Sequence, residues 1–252
     1  SNLIKQRNNK TLFALKINSD PEDSVGAKLM ESAAKLASAT DNKLVQIMKC
    51  DLNIANCIID TVQSNKITDL IVGIHHKANI VDTFLGGTIT SLINGTSNQN
   101  LIIYGPKKPI NSVKRLVVAV PQMAELEVGF DIWFDRIKNI ASQLSLPIVF
   151  YANKDTTTAL KKQCEIHSSL NVSFRELASW EDFLIISKHI KHGDTLIVIT
   201  ARKATLSYNN LFEKIPYYLN KYFTDNNFLL IYPQQTASDG TDNDRYNPLK
   251  IS

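Results

Sequence analysis

Nine short apolar runs recur along the chain, and segments with helical spacing separate most of them. Most of the runs are continuously apolar rather than alternating, which is typical of strands buried on both faces of a parallel sheet. Strands that alternate with helices build βαβ units, so the pattern predicts an α/β fold. The runs cover residues 11–17, 43–48, 69–74, 100–104, 115–120, 147–151, 172–177, 195–200 and 228–232.

Apolar stripes predict the helices between these strands. Side chains of one stripe recur three or four residues apart, which places them on the same helical face. Such stripes occupy residues 29–37, 54–62, 133–144 and 180–190.

The pattern of runs repeats after about 126 residues, since "DLIVGIHHKA" at 69–78 matches "TLIVITARKA" at 195–204. The runs that close the two halves, "NLIIYGP" and "FLLIYPQ", match as well. We therefore predict two tandem open parallel-sheet units, residues 1–110 and 111–233. The first unit has four strands and three helices against five and four in the second, so it lacks a leading strand and helix. The polar tail 234–252 is expected to be disordered.

Composition is that of a globular protein in a reducing compartment. The net charge of +4 comes from scattered lysines, and the one basic cluster, Lys107, Lys108, Lys114 and Arg115, lies in a Pro-containing connection. This distribution does not favour nucleic-acid binding. Cys50, Cys57 and Cys164 are widely spaced, and three cysteines cannot all pair, so we expect no disulfide framework.

No apolar run approaches the ~20 residues that span a bilayer. We expect no signal peptide, and the first methionine is Met30. The initial "SN" resembles a processing scar, so we expect an excised piece of a longer protein.

No strong catalytic motif occurs, and we expect no enzymatic activity. The short spacings Cys164-x-x-His167 and His189-x-x-His192 could hold a metal. The alternative is stronger, because His192 before Gly193 suits a helix C-terminus. We therefore expect no metal site.

The loop "GIHHKANIVDTFLGGT", residues 73–88, is the strongest candidate for a ligand site. Gly73 follows an apolar run, and ligands of open α/β sheets bind beyond the carboxyl ends of strands. Gly86, Gly87 and Thr88 open the next helix, where free N–H groups attract anions. The alternative is that the two glycines only allow the helix to pack closely on the sheet. The residues alone leave these interpretations evenly balanced.

Two tandem α/β units with a loop of this length resemble the universal stress protein family, whose fold is of the adenine nucleotide alpha hydrolase type. Nucleotide-binding members of that family carry G-x2-G-x9-G-[ST] at this place. Gly73 and Gly86 match its first and third glycines, whereas His76 replaces the second. Gly87 occupies the Ser/Thr position, and Thr88 comes one residue too late. The family's adenine-contacting Asp has no counterpart. The resemblance implies a degenerate phosphate loop with weak or lost adenine nucleotide binding and no cofactor.

A narrower resemblance covers nearly the whole chain. The segments "AKLASATDNKL", "VVAVPQMAELEVGFDIWF", "WEDFLIIS" and "ITARKATLSYN" are similar to the cytosolic C-terminal region of bacterial monovalent cation:proton antiporters. This implies a non-catalytic regulatory domain at the cytoplasmic face of the inner membrane, with the antiporter domain of the same polypeptide as partner. It also allows sensing of a small anion. The alternative is a free-standing nucleotide-binding universal stress protein.

Two predictions concern the sheet. An unpaired apolar edge strand is an aggregation hazard, so the closing strands 100–104 and 228–232 should pair with each other. In the first half, strand 11–17 should lie directly beside strand 69–74 and so close the gap left by the absent strand. The alternative is a strand borrowed from another chain in a homodimer.

Overall fold

The computed structural model describes residues 11–18, 24–39, 42–74, 80–85, 87–166 and 170–236. All nine predicted strands are present, and the fold is α/β with a mostly parallel sheet. The strands are β1 Leu12–Asn18, β2 Leu44–Cys50, β3 Asp69–Gly73, β4 Asn100–Gly105, β5 Arg115–Ala119, β6 Ile148–Ala152, β7 Val172–Glu176, β8 Asp194–Ile199 and β9 Asn227–Tyr232.

Eight α-helices connect these strands in the described part of the chain. They are α1 Ser24–Ser38, α2 Ile54–Ser64, α3 Ile80–Leu85, α4 Gly87–Gly95, α5 Phe130–Leu144, α6 Lys154–Glu165, α7 Ile185–His189 and α8 Ile215–Tyr222. Polar caps fix several starts: the Asn53 side chain accepts a hydrogen bond from Asn56 N, and the Asn153 side chain accepts one from Thr156 N. The sequence pattern predicts a loop over residues 73–88, whereas the structure has helix α3 within this segment.

Seven strands form one sheet in the order β3-β4-β9-β8-β5-β6-β7. All neighbours are parallel except β4 and β9, which run antiparallel with Ile103 opposite Leu230. The prediction that the two closing strands pair is therefore confirmed. This junction joins the two halves of the chain into one continuous sheet.

The predicted position of the first strand is wrong. Strand β1 does not pair with β3; it pairs in parallel with β2, and these two strands form a separate two-stranded sheet. Within the described residues β3 pairs with β4 alone. The physical reason is that β1 keeps the local partner that βαβ connectivity gives it, and it does not slide sideways to cover the open edge.

Helices cover both faces of the large sheet. Strand β8 shows the arrangement: Leu196 and Val198 point into a core that α4, α7 and α8 also enter. Ile197 and Ile199 point into the opposite core, built with α5 and α6. Continuous apolar strands are thus buried on both sides, as their sequences predict.

Candidate functional site

The predicted phosphate loop begins where β3 ends. Gly73 is the last residue of β3 and is exposed. A Cβ added to Gly73 would meet no heavy atom within 4 Å. Packing therefore does not require glycine at this position.

The far end of the same loop is the start of α4. Gly87 is the first residue of this helix, Thr88 is the second, and both are exposed. A Cβ on Gly87 would also meet nothing within 4 Å, so close packing on the sheet is not the reason for glycine there. His76 and Gly86 lie outside the described residues, and the anion site remains a prediction.

The corresponding place in the second half is occupied by Arg202. This side chain follows β8 and is 5 % exposed. Its Nη2 donates to the carbonyls of Thr96 at 2.8 Å and Gln99 at 3.2 Å, and its Nη1 donates to the carbonyl of Ile93. Burial lowers the pKa of Arg202 to about 10, so the guanidinium is charged at neutral pH.

Arg202 thus acts as a bridge between the halves rather than as a ligand site. Its acceptors lie at the carboxyl end of α4 and in the turn that follows, where a cation offsets the helix dipole. The sequence interpretation missed this role. The available signal was the alignment of "ITARKA" with "GIHHKA", which places an arginine opposite His76.

The loop after β5 is tied down by two carboxylates. Glu127 Oε1 accepts hydrogen bonds from the N–H and the hydroxyl of Ser207, both at 2.9 Å. Glu125 accepts one from the Thr156 hydroxyl at 2.7 Å. These glutamates were not singled out from the sequence. They tie this loop to the loop after β8 and to the start of α6.

The residues with metal-ligand spacing have other contacts. The His189 ring stacks on Tyr151 with 6.4 Å between centroids, and the His192 ring lies beside Lys108 Nζ. Cys164 is partly buried and free, and His167 is outside the described part. Among the residues that the structure describes, no group of three His, Cys, Asp or Glu side chains could hold a metal ion.

Two clefts flank strand β3. The first, here the edge cleft, has a volume of about 830 Å³ and lies between β1 residues 12–15 and β3. The second, here the face cleft, has a volume of about 510 Å³ and lies over the sheet face that α5 covers farther along. Ile71 lines both clefts.

An ion pair closes one end of the edge cleft. Arg136 of α5 donates from Nε and Nη2 to both carboxylate oxygens of Asp69, at 2.9 and 3.0 Å. Asn100 Nδ2 donates to the same carboxylate at 3.2 Å. The bidentate geometry is the strong form of this pair, and it anchors the start of β3 to the second half of the chain.

Comparisons with solved structures agree with this architecture. The chain resembles the cytoplasmic domain of a prokaryotic cation chloride cotransporter, with a TM-score of 0.62, 10% identity, and coverage of 89% of this chain and 85% of that one. It also resembles a candidate universal stress protein from Pseudomonas aeruginosa (TM-score 0.56, 11% identity, 88% and 83% covered). A universal stress protein from Archaeoglobus fulgidus gives a TM-score of 0.50 at 11% identity, with 89% and 84% covered.

No family model matches the sequence, and no curated protein matches it significantly. The fold is universal stress protein-like, a fold also used by the cytoplasmic domain of a transporter. No helix in the described residues is both long and apolar enough to cross a membrane.

Proposed function

We propose that this chain is a non-catalytic regulatory domain of a membrane monovalent cation:proton antiporter, built of two universal stress protein-like repeats. The observation that carries the proposal is the likeness in fold to a cotransporter's cytoplasmic domain over 89% of this chain. The antiporter domain of the same polypeptide would be the partner. The proposed location is then the cytoplasmic face of the membrane.

Matching hydrogen bonds support the two-repeat interpretation. Asn100 opens β4, and its Oδ1 accepts a hydrogen bond from the N–H of Gln234, two residues past β9. Asn227 opens β9, and its Oδ1 accepts one from the N–H of Lys107, two residues past β4. Equivalent residues thus clamp each half to the other, as a pseudo-two-fold axis requires.

The junction suits a domain that transmits a signal. Main-chain pairing of β4 with β9, the two asparagine clamps and the Arg202 bridge all cross between the halves. A ligand that orders one half would therefore act on the other through packed, hydrogen-bonded contacts.

Ligand sensing is assigned to the first half alone. We propose that Gly73, His76, Gly86, Gly87 and Thr88 form a degenerate phosphate loop for a small anion. In the second half, Arg202 lies at the equivalent place, and its donors are directed at main-chain carbonyls. Adenine nucleotides would bind weakly or not at all.

The alternative function is a free-standing nucleotide-binding stress protein. The likeness to the Pseudomonas aeruginosa structure at 88% coverage favours it. Calorimetric titration with inorganic phosphate, AMP, ADP and ATP separates the two functions. We expect phosphate binding that Gly86→Val abolishes and Lys188→Ala, an exposed control on α7, leaves unchanged. A low-micromolar dissociation constant for ATP would favour the stress protein.

The regulatory role is tested in the full-length polypeptide. Proton flux driven by a Na+ or K+ gradient is followed in inverted vesicles, with and without residues 11–236. We expect the deletion to change the rate or its pH dependence several-fold, while the Lys188→Ala protein behaves as wild type. Identical flux in all three proteins would contradict a regulatory role.

A further inference from the structure

The outer edge of β3 faces a cleft rather than a strand. Within the described residues β3 pairs only with β4, and the edge cleft runs along all five of its residues, from Asp69 to Gly73. Strand β1 forms the opposite wall. A strand edge with unpaired N–H and C=O groups is a template for another strand.

The second half shows what occupies the equivalent place. There β9 is followed across the sheet by β8, then β5, β6 and β7. In the first half β4 is followed by β3, then by the edge cleft, while β1 and β2 pair in parallel as β6 and β7 do. The cleft therefore stands where β5 stands in the second half. This correspondence rests on the two-repeat interpretation given above.

The face cleft fits the helix that would follow such a strand. Its floor consists of apolar side chains from β3, β4 and β9, among them Ile71, Ile102 and Leu229, and one wall is Ile140 of α5. In the second half, α5 follows β5 and covers the same face of the sheet. Because Ile71 lines both clefts, a strand in one would lead directly to a helix in the other.

We propose that the edge cleft and the face cleft together seat one β-strand followed by one amphipathic α-helix, supplied by the same polypeptide on the amino-terminal side of β1. The strand runs parallel between β1 and β3. It is about five residues long, since each residue of a parallel strand advances about 3.3 Å and β3 has five residues. Its side chains meet both cores, so it is continuously apolar like Leu116–Val118 of β5, which are at most 1 % exposed.

Chain order decides the source of this unit. In the second half α5 ends at Leu144 and β6 begins at Ile148, so the strand–helix unit directly precedes the counterpart of β1. A unit on the amino-terminal side of β1 has the same connectivity. A second copy of this chain is a poorer donor, because its own β5 and α5 are already built into its sheet.

Amide hydrogen exchange tests the proposal. The probe is this chain carrying the roughly 40 preceding residues of its natural reading frame, a length that a strand, a helix and their connections require. We expect exchange in residues 69–74 and 12–18 to slow at least about tenfold relative to the 252-residue chain, with exchange of β6 unchanged. The matched control has proline at two central positions of the added strand, which removes ladder hydrogen bonds at constant length.

Three results would overturn the proposal. The first is an unchanged exchange rate in the extended protein, and the second is equal slowing in the proline control. The third is protection that appears only when light scattering shows a dimer, which would identify a second copy as the occupant. Transport is not measured in this experiment. A failure here therefore leaves the vesicle assay to judge the regulatory function independently.

Discussion

Arg202 donates more hydrogen bonds from one half to the other than any other single side chain described above. Its Nε also lies 3.4 Å from the carbonyl of Pro233, beyond β9. All of its acceptors are main-chain oxygens of residues distant in sequence. A buried charge persists only when it is fully hydrogen-bonded, and Arg202 meets that condition by organising the turn after α4.

Replacing this guanidinium should be costly. We expect Arg202→Met to lower the free energy of unfolding by about 3 kcal/mol, because it leaves several buried carbonyls without donors. Lys203→Met is the matched control: its side chain is 79 % exposed and forms a surface ion pair with Glu213, worth at most about 1 kcal/mol. Urea unfolding measures both variants, and equal losses would refute the assigned role.

We expect the ionisation of Tyr232 to lower the free energy of unfolding at high pH. An unfolded phenol ionises near pH 10, whereas burial raises the pKa of Tyr232 to about 12. Between these values the unfolded state has lost a proton that the folded state keeps, so raising the pH favours unfolding. The lowered pKa of Arg202 acts in the opposite direction. The contribution of Tyr232 is therefore measured by comparing the free energy of unfolding of wild type with that of a variant that lacks the phenol.

We therefore expect the stability difference between wild type and Tyr232→Phe to shift by roughly 2–3 kcal/mol in favour of Phe from pH 9 to pH 12. Urea unfolding across this range tests the shift. A pH-independent difference would show that the Tyr232 phenol ionises at the same pH in both states.

At the scale of elements, the junction between β4 and β9 depends on a glycine. Gly105 lies opposite Phe228, whose ring is 1 % exposed. A Cβ on Gly105 would lie 2.1 Å from Phe228 Cε1, far inside van der Waals contact. The aromatic ring needs the space that only glycine leaves.

Gly105→Ala should therefore lower stability by about 1–3 kcal/mol, the usual cost of overpacking a core. Gly73→Ala is a matched control at the end of the neighbouring strand β3, where the added methyl meets nothing within 4 Å. The control should be neutral or stabilising by at most about 1 kcal/mol, since alanine restricts the unfolded chain. If thermal denaturation showed the reverse order, the packing described at the junction would be wrong.

At the scale of the whole molecule, the two halves share one core. Ile89 and Leu92 of α4 belong to the same buried cluster as Leu219 of α8 and Phe223 beyond it. Strands β1 and β2, in contrast, pair only with each other, and both expose apolar side chains: Phe13 is 36 % and Met48 49 % exposed. Stability is therefore unevenly distributed.

Hydrogen exchange of the 252-residue chain should reveal this difference. We expect amides of β1 and β2 to exchange about a hundredfold faster than those of β8 and β9, because local opening exposes little buried surface there. Comparable protection in both regions would mean that the small sheet is stabilised as strongly as the large one.

The first residues of the polar tail form hydrogen bonds that the sequence does not predict. The sequence predicts disorder from Gln234 onward. Gln235 N, however, donates to Ser97 O at 2.9 Å, and the Thr236 hydroxyl donates to Asn98 Oδ1 at 2.7 Å. Residues 234–236 are thus held by hydrogen bonds to residues 97–100 of the first half, and residues 237–252 lie outside the described part.

The sequence by itself determined the nine strands, the α/β class and the pairing of the closing strands. Continuous apolar runs and helical stripes report local structure directly, and the need to cover two apolar edges follows from strand chemistry. Gly73 and Gly87 could be placed at a strand end and a helix start for the same local reason.

Only the tertiary structure decided the separate β1–β2 sheet, helix α3, the Arg202 bridge and the two clefts beside β3. The bridge and the clefts depend on groups far apart in sequence: Arg202 reaches carbonyls that precede it by about a hundred residues, and the clefts are defined by which neighbours β3 lacks. Periodicity reports which face of an element is buried, but it does not identify the element that buries it.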